Sequence, residues 1–92
     1  MSELVEQPAG LISVLLDKSA AFGDRDDAAM DLGSFENPEA VNALLKIVQD
    51  LTEDEDLIDS AAESLMEIWS KSGQKNPDLI NRMHPIARRY FN

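Results

Sequence analysis

The fold of this chain is decided by residues 53–72, which read EDEDLIDSAAESLMEIWSKS. At about 100° per residue, this stretch predicts a helix with two separate sides. The apolar side carries Leu57, Ile58, Ala61, Ala62, Leu65, Ile68 and Trp69. The opposite side carries Asp56, Asp59, Glu63 and Glu67. A helix of this kind buries its apolar side against other helices and leaves its acidic side outward.

Helical spacing of apolar residues continues on both sides of this stretch, whereas the period-2 alternation of a strand does not persist. Five helices are predicted, at about residues 8–21, 24–35, 38–51, 54–72 and 77–91. Asp24 and Thr52 are expected to cap the second and fourth helices. Pro85 is expected to kink or break the last helix near Met83. The sequence therefore predicts an all-α chain.

The chain also contains an internal repeat. NPEAVN at 37–42 matches NPDLIN at 76–81 at an offset of 39, and DDAA at 26–29 matches DSAA at 59–62 at an offset of 33. Both Asn-Pro-acid segments offer an N-cap, a proline at the first helical position and an acid in the first turn. Gly73 is suited to end the helix between them. Repeats of this length are typical of stacked helical hairpins.

Composition limits both the architecture and the chemistry. The chain has 92 residues, of which 43% are hydrophobic, and this suits a single domain over residues 1–92 with a thin core. The absence of cysteine excludes disulfides, thiolate nucleophiles and cysteine-bound metals. The longest apolar run, residues 11–16, is too short to cross a bilayer, and the acidic start lacks the basic residues of a secretory signal. We therefore expect a cytoplasmic protein.

Charge is abundant and unevenly distributed. The net charge is −10, and residues 24–67 hold fourteen acids and two bases, whereas residues 68–92 hold one acid and five bases. A chain this acidic repels phosphate backbones and anionic lipid surfaces. We therefore expect no binding to nucleic acid or to membranes. The distribution predicts an acidic face with a basic end.

The repeated residues resemble a HEAT repeat, particularly the type found in phycobilisome-lyase-like repeat proteins. RDDAAMDLG at 25–33 resembles the second helix of one hairpin, NPEAVNALL at 37–45 the first helix of the next, and residues 54–68 its second helix. The arginine of the family's second helix is matched by Arg25, whereas Leu57 or Ile58 stands at that place in the later hairpin. The resemblance implies a short right-handed stack of α-hairpins.

No motif for catalysis stands out. His84 is the only histidine, and no residue within helical reach would orient it as a base or complete a metal site, so we expect it at the surface or at a helix end. The acidic run 53–56 lacks the central glycine and alternating ligands of a calcium loop and indicates an acid-rich first turn. We expect no enzyme activity, no catalytic residue, no metal and no cofactor.

The remaining candidate is a surface, which we name the acidic face. It combines acids of the predicted second and fourth helices: Asp27, Asp31, Asp56, Asp59, Glu63 and Glu67. Like charges four residues apart destabilise a helix slightly, and no lysine lies between them. In HEAT stacks the second helices line the concave surface, so the resemblance implies one continuous acidic groove. The competing interpretation is an ordinary solvated helix face.

Two aromatic features border this face. Trp69 lies at the margin of the apolar side and is either a core residue or a partly exposed anchor for a partner beside the acids. The basic segment near the chain's end holds Arg82, Arg88, Arg89, Tyr90 and Phe91. This segment fits either weak contacts with nucleic acid or cations at a helix end followed by a capping apolar pair. The net charge favours the second interpretation.

An acidic surface attracts a basic protein quickly and selects against neutral or acidic ones. The chain is similar in build to small HEAT-like immunity proteins of bacterial contact-dependent growth inhibition systems. That resemblance implies an antitoxin that binds a basic partner, such as a nuclease toxin domain, in a 1:1 complex and masks its positively charged active-site groove. The expected partner-binding residues are the acidic face and Trp69. Two alternatives stay open, a HEAT-like adaptor or assembly subunit and a lyase-like chromophore-attachment subunit.

Overall fold

The computed structural model describes residues 8–74 and 76–91, which form helices and turns without any strand. This confirms the predicted all-α class. The helices are α1 (Ala9–Leu16), α2 (Phe22–Asp31), α3 (Pro38–Val48), α4 (Glu55–Ser72), α5 (Pro77–Asn81) and α6 (Pro85–Arg88). Short 3-10 turns follow at Leu32–Ser34 and Arg89–Phe91. Expectations about the acidic start of the chain lie outside the described residues.

The helix-start and helix-stop signals near the two Asn-Pro segments are confirmed. The Asn37 side chain accepts a hydrogen bond from the Ala40 amide at 3.0 Å, and the Asn76 side chain accepts one from the Leu79 amide at 3.2 Å. Gly73 follows α4 with φ 75°, in the left-handed region that favours glycine. Local chemistry is sufficient at these three places.

Other predicted boundaries are wrong. Ala21 holds the N-cap position of α2 without a side-chain hydrogen bond, so Asp24 lies inside the first turn instead of capping it. Asp54, not Thr52, caps α4, because its carboxylate accepts the amides of Asp56 at 2.8 Å and Leu57 at 3.3 Å. Apolar periodicity alone does not fix the terminal residue of a helix, and boundaries taken from it can be wrong by one or two residues.

The first and third helices are shorter than predicted. Helix α1 ends at Leu16 instead of residue 21, because the Asp17 carboxylate accepts the amide and hydroxyl of Ser19 at 2.9 and 2.6 Å. Helix α3 ends at Val48 instead of residue 51, and the Asp50 carboxylate accepts the same two groups of Thr52 at 2.9 and 2.6 Å. These side chains compete with helical hydrogen bonding and close a turn.

The predicted last helix is broken in two, as the position of Pro85 indicated. Pro85 becomes the first residue of α6, and His84 caps that helix by accepting the Ile86 amide at its Nδ1, at 3.1 Å. The His84 amide in turn donates to the Val48 carbonyl at 2.7 Å, which holds the break against the end of α3. His84 is therefore a helix-end histidine.

Helices α1 to α4 form two layers. Helix α1 packs against α2 and α3, and α4 packs against α2 and α3. Helices α2 and α4 run in the same direction, because Arg25 near the start of α2 reaches Glu53 just before α4, and Ser64 in the second half of α4 bonds to Ala29 near the end of α2. Hairpin α1–α2 is thus followed by hairpin α3–α4 in the same orientation.

The core lies between the two layers and continues under α6, which packs on α4. Its largest fully buried side chains are Leu15, Leu32, Leu44, Val48, Leu57, Ile58, Leu65 and Ile68. Small alanines fill the places where helices approach closely, among them Ala29, Ala40, Ala61 and Ala62. Among residues 8–74 and 76–91, no helix has the length and apolar character needed to span a bilayer.

Candidate protein-binding surface

Five of the six acidic-face residues are exposed, and the sixth, Asp59, is half-buried. Two lie on α2 and four on α4. These two helices are parallel neighbours that pack against each other. The turn after α2 approaches α4 closely at Gly33, where an added Cβ would lie 2.7 Å from Glu67 Oε1 and 3.0 Å from Ser64 Oγ. Glu67 therefore lies beside Gly33, which follows Asp31, the last residue of α2, by two positions.

The ion pairs of the described part of the chain lie away from these acids. Within residues 8–74 and 76–91, ion pairs closer than 4.0 Å join Lys18 to Asp50 and Glu53, and Arg25 to Glu53. None of these pairs includes a residue of the acidic face. Arg89 lines a cavity of about 250 Å³ together with Asp59 and Tyr90.

Asp59 is held by a residue that sequence reasoning did not connect to it. The Tyr90 hydroxyl donates to Asp59 Oδ1 at 2.8 Å. This hydrogen bond, followed by burial and the nearby charges of Asp59 and Glu63, raises the pKa of Tyr90 to about 12. Asp59 is thus tied to the turn after α6, whereas Glu63 and Glu67 remain in solvent. Tyr90 of the basic segment therefore contacts the acidic face.

Trp69 is not an exposed anchor. It is 4% exposed, and its ring contacts Phe91 edge-on with the ring centroids 5.4 Å apart. The expectation that Trp69 is a partly exposed anchor is therefore wrong, and the alternative of a core tryptophan is confirmed. The indole belongs to the apolar side of α4, where the turn after α6 covers it.

A residue that was not singled out, Met30, provides the exposed apolar group within the acidic face. It is 54% exposed, and it follows Asp27 by three residues on the same side of α2. Its carbonyl accepts from Ser64 Oγ at 3.3 Å, which places it at the seam between α2 and α4. The sequence could have predicted this exposure, because Met30 lies on α2 between Asp27 and Asp31 and not on the apolar side of that helix.

Acids outside this face have structural roles that the sequence did not reveal. Arg25 donates to both Glu53 oxygens, at 3.1 and 2.8 Å, and to the Leu15 carbonyl at 3.0 Å. The Arg25 hydrogen bonds hold the pKa of Glu53 below its usual range, with a backbone hydrogen bond contributing. Lys18, at 2.8 Å, together with Thr52 holds the pKa of Asp50 far below its usual range.

This network joins the turns of the first two hairpins. Asp17-Lys18-Ser19 and Asp50-Leu51-Thr52 lie 33 residues apart and close their turns by the same hydrogen bonds. The signal was therefore present as an Asp-x-Ser/Thr repeat at the offset already found for the helices. The acidic run 53–56 is divided between this network, through Glu53, and the cap of α4, through Asp54.

Two further properties of the surface bear on ligand chemistry. Within the described ranges, no group of three His, Asp or Glu side chains is arranged to hold a metal ion. An open groove of about 490 Å³ lies between α1 and α3, on the layer away from the acidic face. It is lined by Ile12, Leu16 and Ala43, with Glu39 and Lys46 also on its walls.

Comparison with protein-family models, with curated proteins and with solved structures finds no match to this chain.

Proposed function

We propose that this chain is an immunity-type inhibitor that binds a basic protein through its acidic face. The observation that carries the proposal is that five exposed carboxylates lie on two parallel neighbouring helices, and none of them forms an ion pair closer than 4.0 Å with a base of the described part of the chain. The partner is a protein with a positively charged active-site groove, such as a bacterial nuclease toxin domain, and the complex is 1:1. Masking that groove excludes the partner's polyanionic substrate.

The carboxylates increase the association rate and the specificity more than the affinity, because exposed charges attract a basic partner over a distance but are screened by salt. Affinity requires a buried apolar contact near the centre of the interface. Met30 suits this contact because it is exposed, lies on α2 between Asp27 and Asp31, and adjoins α4 through the hydrogen bond of its carbonyl with Ser64. It takes the role first assigned to Trp69.

The proposed HEAT-like identity is supported by two features. The hairpins α1–α2 and α3–α4 repeat with the same orientation, and their internal turns use the same Asp-x-Ser/Thr hydrogen bonds 33 residues apart. Arg25 links one hairpin to the turn of the next. The position that corresponds to Arg25 in the second hairpin is Ile58, so no arginine links that hairpin to the segment after it. That segment forms only the short helices α5 and α6.

The test is an affinity pull-down from cells of the native host, in which variants of the chain are compared for the proteins they retain. A face variant removes three exposed charges through Asp27→Asn, Glu63→Gln and Glu67→Gln. A matched control removes three exposed charges elsewhere through Glu36→Gln, Glu39→Gln and Asp78→Asn. We expect one basic protein to be retained by the unmodified chain and by the control but not by the face variant. Inhibition of its enzymatic activity by the unmodified chain is then measured directly.

Kinetics with the purified partner provide the second measurement. The association rate constant should fall by about tenfold between low and physiological ionic strength. The face variant should associate slowly at every salt concentration, while its helical circular dichroism matches that of the control. Equal retention of the partner by both variants, or an association rate that ignores salt, excludes the acidic face as the interface.

A second candidate function, a HEAT-like adaptor, is favoured by the groove between α1 and α3. Its apolar walls at Ile12, Leu16 and Ala43 suit an extended segment of another subunit. An adaptor joined in this way would bind with little dependence on salt. Ile12→Asp would abolish such binding and leave capture by the acidic face unchanged, so the two functions are separable with one substitution.

A further inference from the structure

The layer formed by α1 and α3 is electrically neutral in a chain whose net charge is −10. Residues 8–16 carry no charged side chain, and residues 37–48 carry one acid and one base, Glu39 and Lys46. Most acids of the described chain lie instead on α2, on α4 and in the turns between helices. An acidic protein can therefore approach this layer without the repulsion that it would meet at the acidic face.

Helix α1 is apolar around its whole circumference, yet little of it is covered. Its sequence, AGLISVLL, has Ser13 as its one polar side chain, and a helix that is apolar on every side is typical of a fully buried position. In α1, Leu15 is the residue that is buried. Val14 is 37% exposed, and Ile12 and Leu16 are partly exposed at the groove of about 490 Å³ between α1 and α3. An apolar surface of this kind indicates a place that another molecule covers.

The two charges beside this groove are arranged for pairing between two copies of the chain. Glu39 and Lys46 lie seven residues apart on α3, about 10 Å along its axis, and both line the groove, as do Asn42 and Ala43 between them. Both charged side chains are exposed, and neither belongs to the ion pairs closer than 4.0 Å within residues 8–74 and 76–91. When two α3 helices lie antiparallel about a two-fold axis at Asn42 and Ala43, Glu39 of each copy faces Lys46 of the other. A two-fold interface requires this self-complementarity.

We propose that two copies of this chain form a two-fold dimer through the groove between α1 and α3, with α3 antiparallel to α3 of the second copy. Charge selects this occupant. A basic protein is attracted to the acidic face, whereas a second chain of net charge −10 is repelled there and finds its complement at the neutral groove. An interface of standard size takes about 800 Å² from each partner. This is about 15% of the 5321 Å² surface of the chain, so one side of the two-layer molecule is sufficient.

The dimer goes beyond the proposed inhibitor function and does not depend on it. The groove lies on the layer away from the acidic face, so both acidic faces of the dimer stay exposed and each chain still binds one partner. The two interfaces respond to salt in opposite directions. Salt weakens the attraction of a basic partner, whereas it strengthens the dimer by screening the repulsion between two chains of net charge −10.

Charge reversal in the full chain tests the two-fold pairing. Glu39→Lys places two cations opposite each other at both ends of the α3 pair, and Lys46→Glu places two anions there. We expect the dissociation constant of the dimer, measured by sedimentation equilibrium, to rise about tenfold or more in each single variant. The double variant Glu39→Lys with Lys46→Glu should dimerise as the unmodified chain does. An equimolar mixture of the two single variants should also dimerise, because each supplies the charge that the other lacks.

Matched controls separate this pairing from net charge and from helix stability. Glu36→Lys and Lys71→Glu change the net charge by the same amounts at exposed positions outside the groove, so they should leave the dimer intact. The double variant opposes the dipole of α3 at both ends, so its dimerisation would show that the single variants lose the pairing and not the helix.

A cross-link gives a second measurement that does not depend on charge. The chain has no cysteine, so Asn42→Cys introduces one thiol per copy at the proposed axis. We expect rapid formation of an intermolecular disulfide on oxidation, because equivalent positions at a two-fold axis lie close together. Ser70→Cys, exposed on α4 and outside the groove, is the matched control and should cross-link slowly.

An unmodified chain that is monomeric at about 0.5 mM overturns the proposal and leaves the groove to another subunit. A dimer that both single variants retain, or that the double variant does not restore while its circular dichroism is unchanged, also overturns it. If charge reversal unfolds α3, the cross-link decides, and equal rates for Asn42→Cys and Ser70→Cys overturn the proposal. None of these substitutions changes a residue of the acidic face, so partner capture is tested separately.

Discussion

The guanidinium of Arg25 and the carboxylate of Glu53 form a bidentate ion pair, with N–O distances of 3.1 and 2.8 Å, between the start of α2 and the turn before α4. Both side chains are less than a tenth exposed. Arg25 also donates to the Leu15 carbonyl, so one residue connects the end of α1, helix α2 and the second hairpin. The pair orients the two helices that carry the acidic face.

Removing one partner of this pair should destabilise the fold strongly. Arg25→Met leaves the Glu53 carboxylate nearly buried with only Lys18 nearby, at 3.6 Å. We expect the free energy of unfolding, measured with urea, to fall by about 3 kcal/mol. The double variant Arg25→Met with Glu53→Leu should recover part of this loss, because no charge is then left unpaired. A single-variant loss below about 0.5 kcal/mol, typical of exposed pairs, would contradict the burial.

The same pair should set the acid sensitivity of the fold. The pKa of Glu53 is lowered in the folded chain, so its contribution is present above its usual value of 4.5 and is lost as the pH falls through the folded value. The difference in unfolding free energy between the unmodified chain and Glu53→Gln should therefore be widest above about pH 5 and narrow in more acidic solution. A difference that does not change with pH would show that the carboxylate is not ionised in the pair.

Tyr90 should titrate unusually late. It is the only tyrosine, so tyrosinate absorbance reports it alone, and its midpoint should lie near 12. Because the raised pKa favours the neutral phenol, the Asp59 contact stabilises the fold below pH 10.0 and is lost as the pH rises toward 12. Asp59→Asn should move the midpoint toward 10.0, and Glu63→Gln should move it less. A midpoint near 10.0 in the unmodified chain would refute the hydrogen bond.

Two glycines should respond oppositely to alanine. A Cβ on Gly33 would lie 2.7 Å from the Glu67 carboxylate and 3.3 Å from the Ser64 backbone, whereas a Cβ on Gly23 meets nothing within 4 Å. We expect Gly33→Ala to cost about 1–3 kcal/mol, because Ser64 is held by its hydrogen bond to Ala29. Gly23→Ala in α2 should raise the free energy of unfolding by about 0.5–1 kcal/mol. Thermal unfolding of both variants, measured in parallel, tests this difference. Equal changes in stability would contradict the close approach of α2 to α4.

The apolar side of α4 can be tested by truncation. Leu65 is fully buried, so Leu65→Ala should lower the unfolding free energy by about 2–5 kcal/mol. Leu51 is 68% exposed in the turn before α4, and Leu51→Ala serves as the matched control with a change within about 0.5 kcal/mol. A similar loss in both variants would mean that burial does not distinguish these positions.

Sequence reasoning succeeded where the deciding interactions are local. The apolar side of α4, the caps at Asn37 and Asn76, and the stop at Gly73 each depend on residues within one or two helical turns. It failed at the ends of α1 and α3, where side-chain hydrogen bonds of a turn compete with continued helical hydrogen bonding. The Asp-x-Ser/Thr repeat would have located both ends.

The amino-acid sequence by itself determined the helical class, the start of each Asn-Pro helix and the excess of acid. Only the tertiary structure decided how each acid is used: Glu53 pairs with Arg25, Asp59 binds Tyr90, and Glu67 stays in solvent. It also decided that Trp69 lies under Phe91. The reason is the sequence separation of the interacting residues. Helix formation depends on neighbours a few residues apart, whereas these contacts join residues 22 to 31 positions apart and exist only once the helices have packed.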